Sequence, residues 1–396
     1  MEKYKAELSS SLIFIIVVAV AATAANNYYN QPLLPSIADS FGISFDLVGY
    51  VPAATQLGYA LALFFISPLG DKLNRKVLIR FLSIGLVLSL FLASIAVNIY
   101  MLILASLLIG IFANITQQLI PLAASLSNKS SRGRIIGIVM TGLTIGLLCS
   151  RTISGFVGEH FGWRTMFLVA AAIAAVIGGI LAWRLPATQP STNERYAELI
   201  KSMLRLFNQL PELRQAAVLG ALWFAAFNSL WATLAMHVTS EPFLLSTQQA
   251  GLFGLVGLAG AVGARRAGIM ADRYGTNPVI SLALLMILSA FVCLYISKSS
   301  IIGLVIGVIM LDLGVFVAQI PNQARVFSLN PEARSRINGM YMLVYYLAGA
   351  LGSYLGAAAY AYGGWTWSCW VGLVCIVLGI SVHFKQQKMS LSLSGL

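Results

Sequence analysis

The sequence predicts an all-α membrane protein: twelve transmembrane helices in two pseudo-symmetric six-helix bundles. Three observations predict it: a composition too apolar for water, a one-sided distribution of positive charge, and a repeat relating the two halves of the chain. Of 396 residues, 59% are hydrophobic and only 10% charged, which excludes an ordinary soluble domain. The apolar residues fall into twelve runs of roughly twenty, the length that crosses a bilayer. Lipid offers backbone groups no hydrogen bonds, so such runs must be helices. The alternating ten-residue pattern of an outer-membrane barrel does not occur. If the N-terminus is cytoplasmic, the connections on that side hold all but three of the 25 Lys and Arg residues. The exceptions are Arg164 and Lys298 in far-side loops and Arg151 inside a span. This asymmetry predicts a multi-pass protein of a bacterial inner membrane with both termini in the cytoplasm. It also explains the net charge of +12 as attraction to anionic headgroups, so the implied partner is the lipid bilayer and not nucleic acid.

The first span, 11–34, carries Asn26 and Asn30 on one face beside Tyr28 and Tyr29, and it continues without the cleavage site of a signal peptide. The second and third, 47–67 and 77–97, flank a basic loop, and the fourth, 99–125, carries Asn114, Gln117 and Gln118. In the fifth, 134–158, Gly142, Gly146, Ser150, Ser154 and Gly158 recur at i, i+4 and form a close-packing ridge. The sixth is 164–185. A polar connection follows, about Pro186 to Leu213, in which Leu199, Met203, Leu206 and Leu210 recur at helical spacing. It predicts an amphipathic linker helix at the membrane surface, dividing the chain into bundles 1–186 and 214–396 with a linker at 187–213. The seventh span, 215–238, has a stripe of Trp223, Phe227 and Trp231 with Asn228 beside it. The eighth, 247–268, places Gly251, Gly254, Gly257, Gly260 and Gly263 at every third residue. The ninth is 277–297, and the tenth, 300–323, holds Asp312 with Gln319 one heptad on. The eleventh, 337–362, carries Tyr341 and Tyr345, and Trp365, Trp367 and Trp370 mark the interfacial belt at the start of the twelfth, 366–384. Cys149, Cys293, Cys369 and Cys375 lie in apolar spans and read as small buried hydrophobes, while His160, His237 and His383 are scattered, so no metal site is expected.

The halves repeat at a shift of 202: Asn26 matches Asn228, Arg132-Gly133-Arg134-Ile135-Ile136-Gly137 matches Arg334-Ser335-Arg336-Ile337-Asn338-Gly339, and Gly162-Trp163 matches Gly364-Trp365. Asp71 matches Asp272 one residue out of that register. A parallel duplication of six spans implies two bundles rocking around a site near the membrane midplane.

With these landmarks the whole chain resembles the major facilitator superfamily. The family's second-to-third loop pattern, Gly-x-x-x-Asp-Arg/Lys-x-Gly-Arg/Lys-Arg/Lys, is met here by Ser67-Pro68-Leu69-Gly70-Asp71-Lys72-Leu73-Asn74-Arg75-Lys76, with Ser67 and Asn74 in place of glycines. Asn suits a left-handed turn at the second of these. The second copy, Gly268-Ile269-Met270-Ala271-Asp272-Arg273-Tyr274-Gly275, keeps both glycines. A loop carboxylate can cap a neighbouring helix N-terminus and pair with cations across the bundle seam, holding a gate in one state and releasing it in the other. The expected gating residues are Asp71, Arg75, Lys76, Asp272, Arg273, Arg334 and Arg336. The fifth and eighth helices pack together across the halves in this family, where their small residues suit a sliding seam. Drug/proton antiporters of the family usually carry Gly-Pro in the fifth span. Here those positions are Ser150-Arg151, while Gly155 and Gly162-Trp163-Arg164 remain, and Ser106 stands where a fourth-span Arg is usual. The segments Asn26 to Pro32 and Ser335 to Met342 are similar to an efflux-type branch of the family.

Asp312 lies about twelve residues into its span, near the midplane at ~1.5 Å per residue. Desolvation works against a lone carboxylate there unless a cation lies close, which makes Asp312 a candidate proton carrier. Arg151 cannot readily discharge and needs a carboxylate, carbonyls, water or an anionic substrate group. Whether the two pair is open, and both are assigned to proton coupling. The polar and aromatic residues of the cavity-lining spans give the substrate-binding set: Asn26, Tyr28, Tyr29, Asn30, Asn114, Gln117, Trp223, Phe227, Asn228, Trp231, Gln319, Tyr341 and Tyr345. An amide- and ring-rich pocket with one acid suits a neutral or cationic amphipathic molecule. The expected function is export of a small organic molecule by proton antiport with alternating access, the alternative being uptake or facilitated diffusion of a metabolite or, further off, a non-transporting receptor. Neither a catalytic constellation nor a Walker loop is present, so no enzyme activity and no cofactor are expected, the proton gradient being the driving force. The resemblance implies a monomer.

Overall fold

The structure is a computed structural model that describes residues 9–394 except 129–130, 191, 193, 258–266 and 331–332, and only the backbone of 386 and 388–394. Among the described residues there are no strands, and nine helices are long and apolar enough to cross a membrane. Seven of these are Arg75–Ser94, Arg132–Phe161, Trp163–Arg184, Pro211–Thr239, Thr276–Ile296, Ile301–Ser328 and the interrupted Ile99–Leu126, each matching one expected span. Phe45–Lys72 forms the second span, and Arg334–Lys385 contains the last two, divided where Gly363 and Gly364 leave the helical region, Gly364 at φ 68°. The eighth span is described as Thr247–Val256 and a helix over 267–274, so Gly260 and Gly263 lie outside the described residues.

The first span departs from the simple helix expected. It runs as Ser10–Ala25, opens into turns over 26–30, tightens into a 3₁₀ turn at Gln31–Leu33, and resumes as Leu34–Phe41. Pro32 and Pro35 explain the break, because each removes a backbone donor and its ring clashes with the carbonyl four residues back. It therefore crosses in two pieces and ends at Phe41, beyond the expected boundary near Leu34. The fourth span is also interrupted, at 113–114 between Ile99–Phe112 and Ile115–Leu126.

Buried apolar side chains form two clusters, one drawn from Ile16 to Leu185 with Met236 added, the other from Met203 to Ile376. Within the first, the second and fourth helices interlock through glycines. A methyl group added at Gly58 would lie 2.0 Å from the Leu107 carbonyl oxygen, and one at Gly110 would lie 2.0 Å from that of Thr55. The ridge on the fifth helix meets the first helix: methyls at Gly142 and Gly146 would lie 2.6 and 2.1 Å from the carbonyl oxygens of Val17 and Ala21. The fifth and eighth helices do pack together, but through a neighbouring face, where Gly155 opposes Gly251 and Gly254 opposes Arg151 Cβ. The other seam joins the second helix to the eleventh through Phe45–Tyr360, Tyr50–Tyr354 and Tyr59–Tyr346, with ring centroids 5.6, 4.8 and 4.6 Å apart.

The repeat register reaches individual hydrogen bonds. Asn26 Nδ2 donates to Ala22 O at 2.8 Å, and Asn228 Nδ2 to Phe224 O at 2.9 Å, each to the residue four back. Replacing Gly110 with Val should destabilise the protein by about 1–3 kcal/mol through overpacking, while Gly179→Ala, which adds a methyl into open space, should cost less than about 0.5 kcal/mol. Thermal unfolding of the two detergent-purified variants beside the parent chain measures both.

Candidate functional site

The break in the first helix turns Gln31 inward, where its Oε1 accepts a 2.7 Å hydrogen bond from Arg151 Nε. Ser154, one turn beyond Arg151 on the fifth helix, donates to the Tyr29 carbonyl, so the break is also tied to the fifth helix through its backbone. The Arg151 guanidinium lies on the face of Trp231, 3.7 Å from the ring centre, and 5.0 Å from that of Tyr28. Trp231 in turn donates its Nε1–H to Asp312 Oδ1 at 3.3 Å. The two intramembrane charges therefore do not pair directly. One indole stands between them, with the cation on its face and the carboxylate at its N–H edge, an arrangement matching the quadrupole of the ring. Arg151 and Asp312 are each only 1% exposed. Arg151 Nη1 and Nη2, Gln31 Nε2 and Asp312 Oδ2 have no protein hydrogen-bond partner. Gly257 makes room for the carboxylate, since a methyl there would lie 2.3 Å from Asp312 Oδ2.

An aromatic wall extends from this centre. Phe227 joins Trp231 to Phe224, which stacks on Tyr345 at 3.8 Å, and Tyr345 leads to Tyr341. Tyr346 adjoins Phe224 and Tyr59. The Tyr341 hydroxyl donates to Gln319 Oε1 at 2.9 Å, and Gln117 Nε2 donates to the Tyr59 hydroxyl at 3.0 Å. Of the expected substrate-binding residues, Tyr28, Gln117, Phe227, Trp231, Gln319, Tyr341 and Tyr345 thus belong to one connected group, and Trp223 is fully buried on the same helix as Phe227 and Trp231. Five others are placed differently. Asn26 and Asn228 bond back to their own helices, Asn30 donates to Thr55 Oγ1 at 3.0 Å, and Tyr29 packs into the first core cluster. Asn114 accepts from Ser67 Oγ at 3.1 Å, nearer the Asp71 loop than the aromatic wall.

That loop closes on itself. Arg75 Nη2 pairs with Asp71 Oδ1 at 2.7 Å and Arg75 Nε donates to Gly70 O at 2.9 Å. Asn74 is an N-cap with φ −61° and ψ 112°, its side chain accepting from Lys76 N, so the left-handed turn expected there does not occur; Gly275 in the second copy does adopt φ 87°. Thr188, Thr192 and Glu194, at the start of the linker, bond to Arg75, Asp71 and Lys72. The linker helix Tyr196–Gln209 seats Leu199 and Met203 inward, its Tyr196 hydroxyl donating to Phe65 O and its Ser202 Oγ accepting from Arg336 Nη1. Arg334 donates to Phe327 O, and the Arg273 guanidinium rests 5.2 Å from the Tyr274 ring centre. Asp272 lies beside it in the helix over 267–274.

The family model described as Major Facilitator Superfamily matches residues 16–353 and 224–387. The chain belongs to the Major Facilitator Superfamily. It is 36% identical over 386 residues to the "Uncharacterized transporter YgaY" of Escherichia coli O157:H7, spanning 97% of this chain and 98% of that one. It is 31% identical over 356 residues to the "Probable transporter SCO4007" of Streptomyces coelicolor, covering 90% and 83%. Among solved structures, a bacterial homologue of the human lysosomal transporter Spinster, inward-facing and unoccupied, superimposes with a TM-score of 0.78 at 16% identity over 99% of this chain and 98% of that one. The protein is thus a multi-pass membrane transporter and not an enzyme, and transporters of this superfamily need no cofactor.

In this Major Facilitator Superfamily member, the sequence reading missed Gln31, Phe224, Tyr346 and the role of Gly257 in making room. Gln31 had a signal, since it immediately precedes the helix-breaking Pro32. Gly257 had one in the repeat: at a shift of 202, Thr55 and Gly110 correspond to Gly257 and Asp312, so the small and large partners of one helix contact are exchanged between the halves. Gly257→Thr should lower the melting temperature by crowding Asp312, at a cost of about 1–3 kcal/mol, and adding Asp312→Gly should recover most of the loss by recreating the Thr55–Gly110 arrangement. Melting curves of the two single variants and the double variant check the coupling.

Proposed function

We propose that this transporter lies in a bacterial inner membrane with its basic connections and both termini in the cytoplasm, acts as a monomer, and exports a small organic molecule by proton antiport. The bundles would be 1–186 and 214–396, joined by the linker 187–213. The observation that carries the coupling is Asp312: a buried carboxylate in the membrane interior, held at one oxygen by Trp231 and unpartnered at the other. Such a group exchanges a proton when one bundle movement opens it to water, and a substrate amine competes with that proton for the same oxygen. Arg151, one indole away, keeps the pair near neutrality and changes the carboxylate's field as the fifth helix moves.

Alternating access has its material in the contacts that cross the bundle seams. At the end away from the basic loops, Thr247 N donates to Glu159 Oε2 at 2.8 Å, and Phe45 meets Tyr360. At the basic end the connection runs through the linker helix, whose Ser202 accepts from Arg336 of the second bundle at 3.1 Å and whose Tyr196 donates to Phe65 O of the first at 2.7 Å. Opening either end breaks a few hydrogen bonds and ring contacts and leaves the bundles intact, which is the behaviour required of a rocking transporter. Asp71, Arg75, Lys76, Asp272, Arg273, Arg334 and Arg336 are the proposed gating group at the basic end.

Efflux-deficient bacteria expressing the protein should accumulate less of at least one compound in a mixed panel of dyes, antibiotics and metabolites, and a protonophore should abolish the difference. Asp312→Asn should remove that difference, by about tenfold or more, while the protein remains in the membrane. Protonophore-resistant efflux, or unchanged pH dependence in Asp312→Asn, overturns the antiport reading; increased accumulation would favour uptake.

A further inference from the structure

We propose that the transported molecule is a zwitterion, an amino acid with an apolar or aromatic side chain, whose carboxylate is bound by Arg151 and Gln31 and whose ammonium is bound by Asp312. The inference names the substrate class of the transport site above and rests on that reading.

The donors are unpaired on one side only. Arg151 uses Nε for Gln31 Oε1, and its two terminal nitrogens have no protein partner. Trp231 and Tyr28 flank the guanidinium, so its remaining N–H groups are presented at the edge. The same bond occupies Gln31 Oε1 and leaves its buried Nε2 without a protein partner, adding a further donor. A small cavity lies beside these groups, walled by Pro32, Leu234, Ala235 and Ala250. A planar guanidinium fork with a supporting amide N–H is suited to a carboxylate, which takes two parallel hydrogen bonds from the fork.

On the other side of Trp231 the chemistry reverses. Asp312 Oδ2 is a buried acceptor without a protein partner, packed against Gly257 of the eighth helix. An ammonium donor satisfies this oxygen. The charge balance then selects between ligands. One buried guanidinium and one buried carboxylate cancel, so a simple anion or a simple cation would bury an uncompensated charge, whereas a zwitterion satisfies both poles and leaves the site neutral. The aromatic wall of Phe224, Phe227 and Tyr345 offers the apolar surface for its side chain. Because the ammonium and the transported proton compete for Asp312, each exported zwitterion is exchanged for a proton, and one net positive charge enters per cycle.

The test is binding to the purified full-length chain in detergent, read by tryptophan fluorescence and thermal shift, against the twenty standard L-amino acids. Each binder is then compared with its own amide and its des-amino acid. At least one apolar or aromatic amino acid should bind, with both analogues weaker by about tenfold or more because each leaves a buried group unpaired. Arg151→Gln should make the amino acid and its amide bind equally, and Asp312→Asn should make the amino acid and its des-amino acid bind equally. Gln31→Ala, which keeps the buried charge, should weaken the amino acid alone relative to the amide and so preserves the test if Arg151→Gln fails to fold. No binding by any amino acid, or an unchanged preference for the free carboxylate in Gln31→Ala and Arg151→Gln, overturns the proposal. Protonophore-sensitive efflux of some other compound beside either result would leave the transport reading standing, whereas loss of proton coupling would remove both.

Discussion

Pro32 and Pro35 withhold two backbone donors from a helix that crosses lipid, and lipid supplies none in return. The first helix therefore opens over 26–30, and groups it would have satisfied internally must be satisfied by its neighbours. The fifth helix does this through Ser154, which donates to the Tyr29 carbonyl, while on the adjacent turn Arg151 donates to the side-chain oxygen of Gln31. The same break sets Tyr28 beside the guanidinium, and the guanidinium position in turn fixes the face of Trp231 it covers. Without the break, Gln31 would remain on a regular helical surface and Arg151 would have to find another acceptor within the membrane.

Close helix approach makes this arrangement possible. Gly142 and Gly146 let the fifth helix reach the backbone of the first, while Gly155, Gly251 and Gly254 let it reach the eighth on another face. One helix is thus fixed to its own bundle by one set of small residues and apposed to the other bundle by a second set. Small-residue contacts of this kind hold by van der Waals packing and a few hydrogen bonds, without interlocked side chains that would have to unthread on sliding. Thr152 donating to Gly251 O at 3.1 Å is one of the few polar ties across that seam.

The duplicated halves keep their framework and differ at the centre. Asn26 and Asn228 repeat the same backward hydrogen bond, and Gln117 and Gln319, also 202 residues apart, each bond a tyrosine hydroxyl. At the corresponding contact near the midplane, Gly110 faces Thr55 in one half and Asp312 faces Gly257 in the other. The volume is conserved across the pair while a buried acid is introduced on one side only. Asymmetry at that contact gives a pseudo-symmetric molecule a single ionisable acid at its core among the described residues.

Composition, the sidedness of Lys and Arg, and the 202-residue repeat determined the class, the number of spans and the two-bundle architecture, because bilayer thickness and backbone satisfaction leave few alternatives. The two charges inside spans were also legible, since a charge in lipid stands out in any reading. The partners of those charges were decided only by tertiary structure. Arg151, Trp231, Asp312 and Gln31 come from four different helices, and whether an Arg meets an Asp or an indole depends on helix rotation and close approach, which local periodicity does not encode. The ridge on the fifth helix shows the same division: its spacing revealed a packing face, but only the assembled bundle determined that the first helix, not the eighth, fills it.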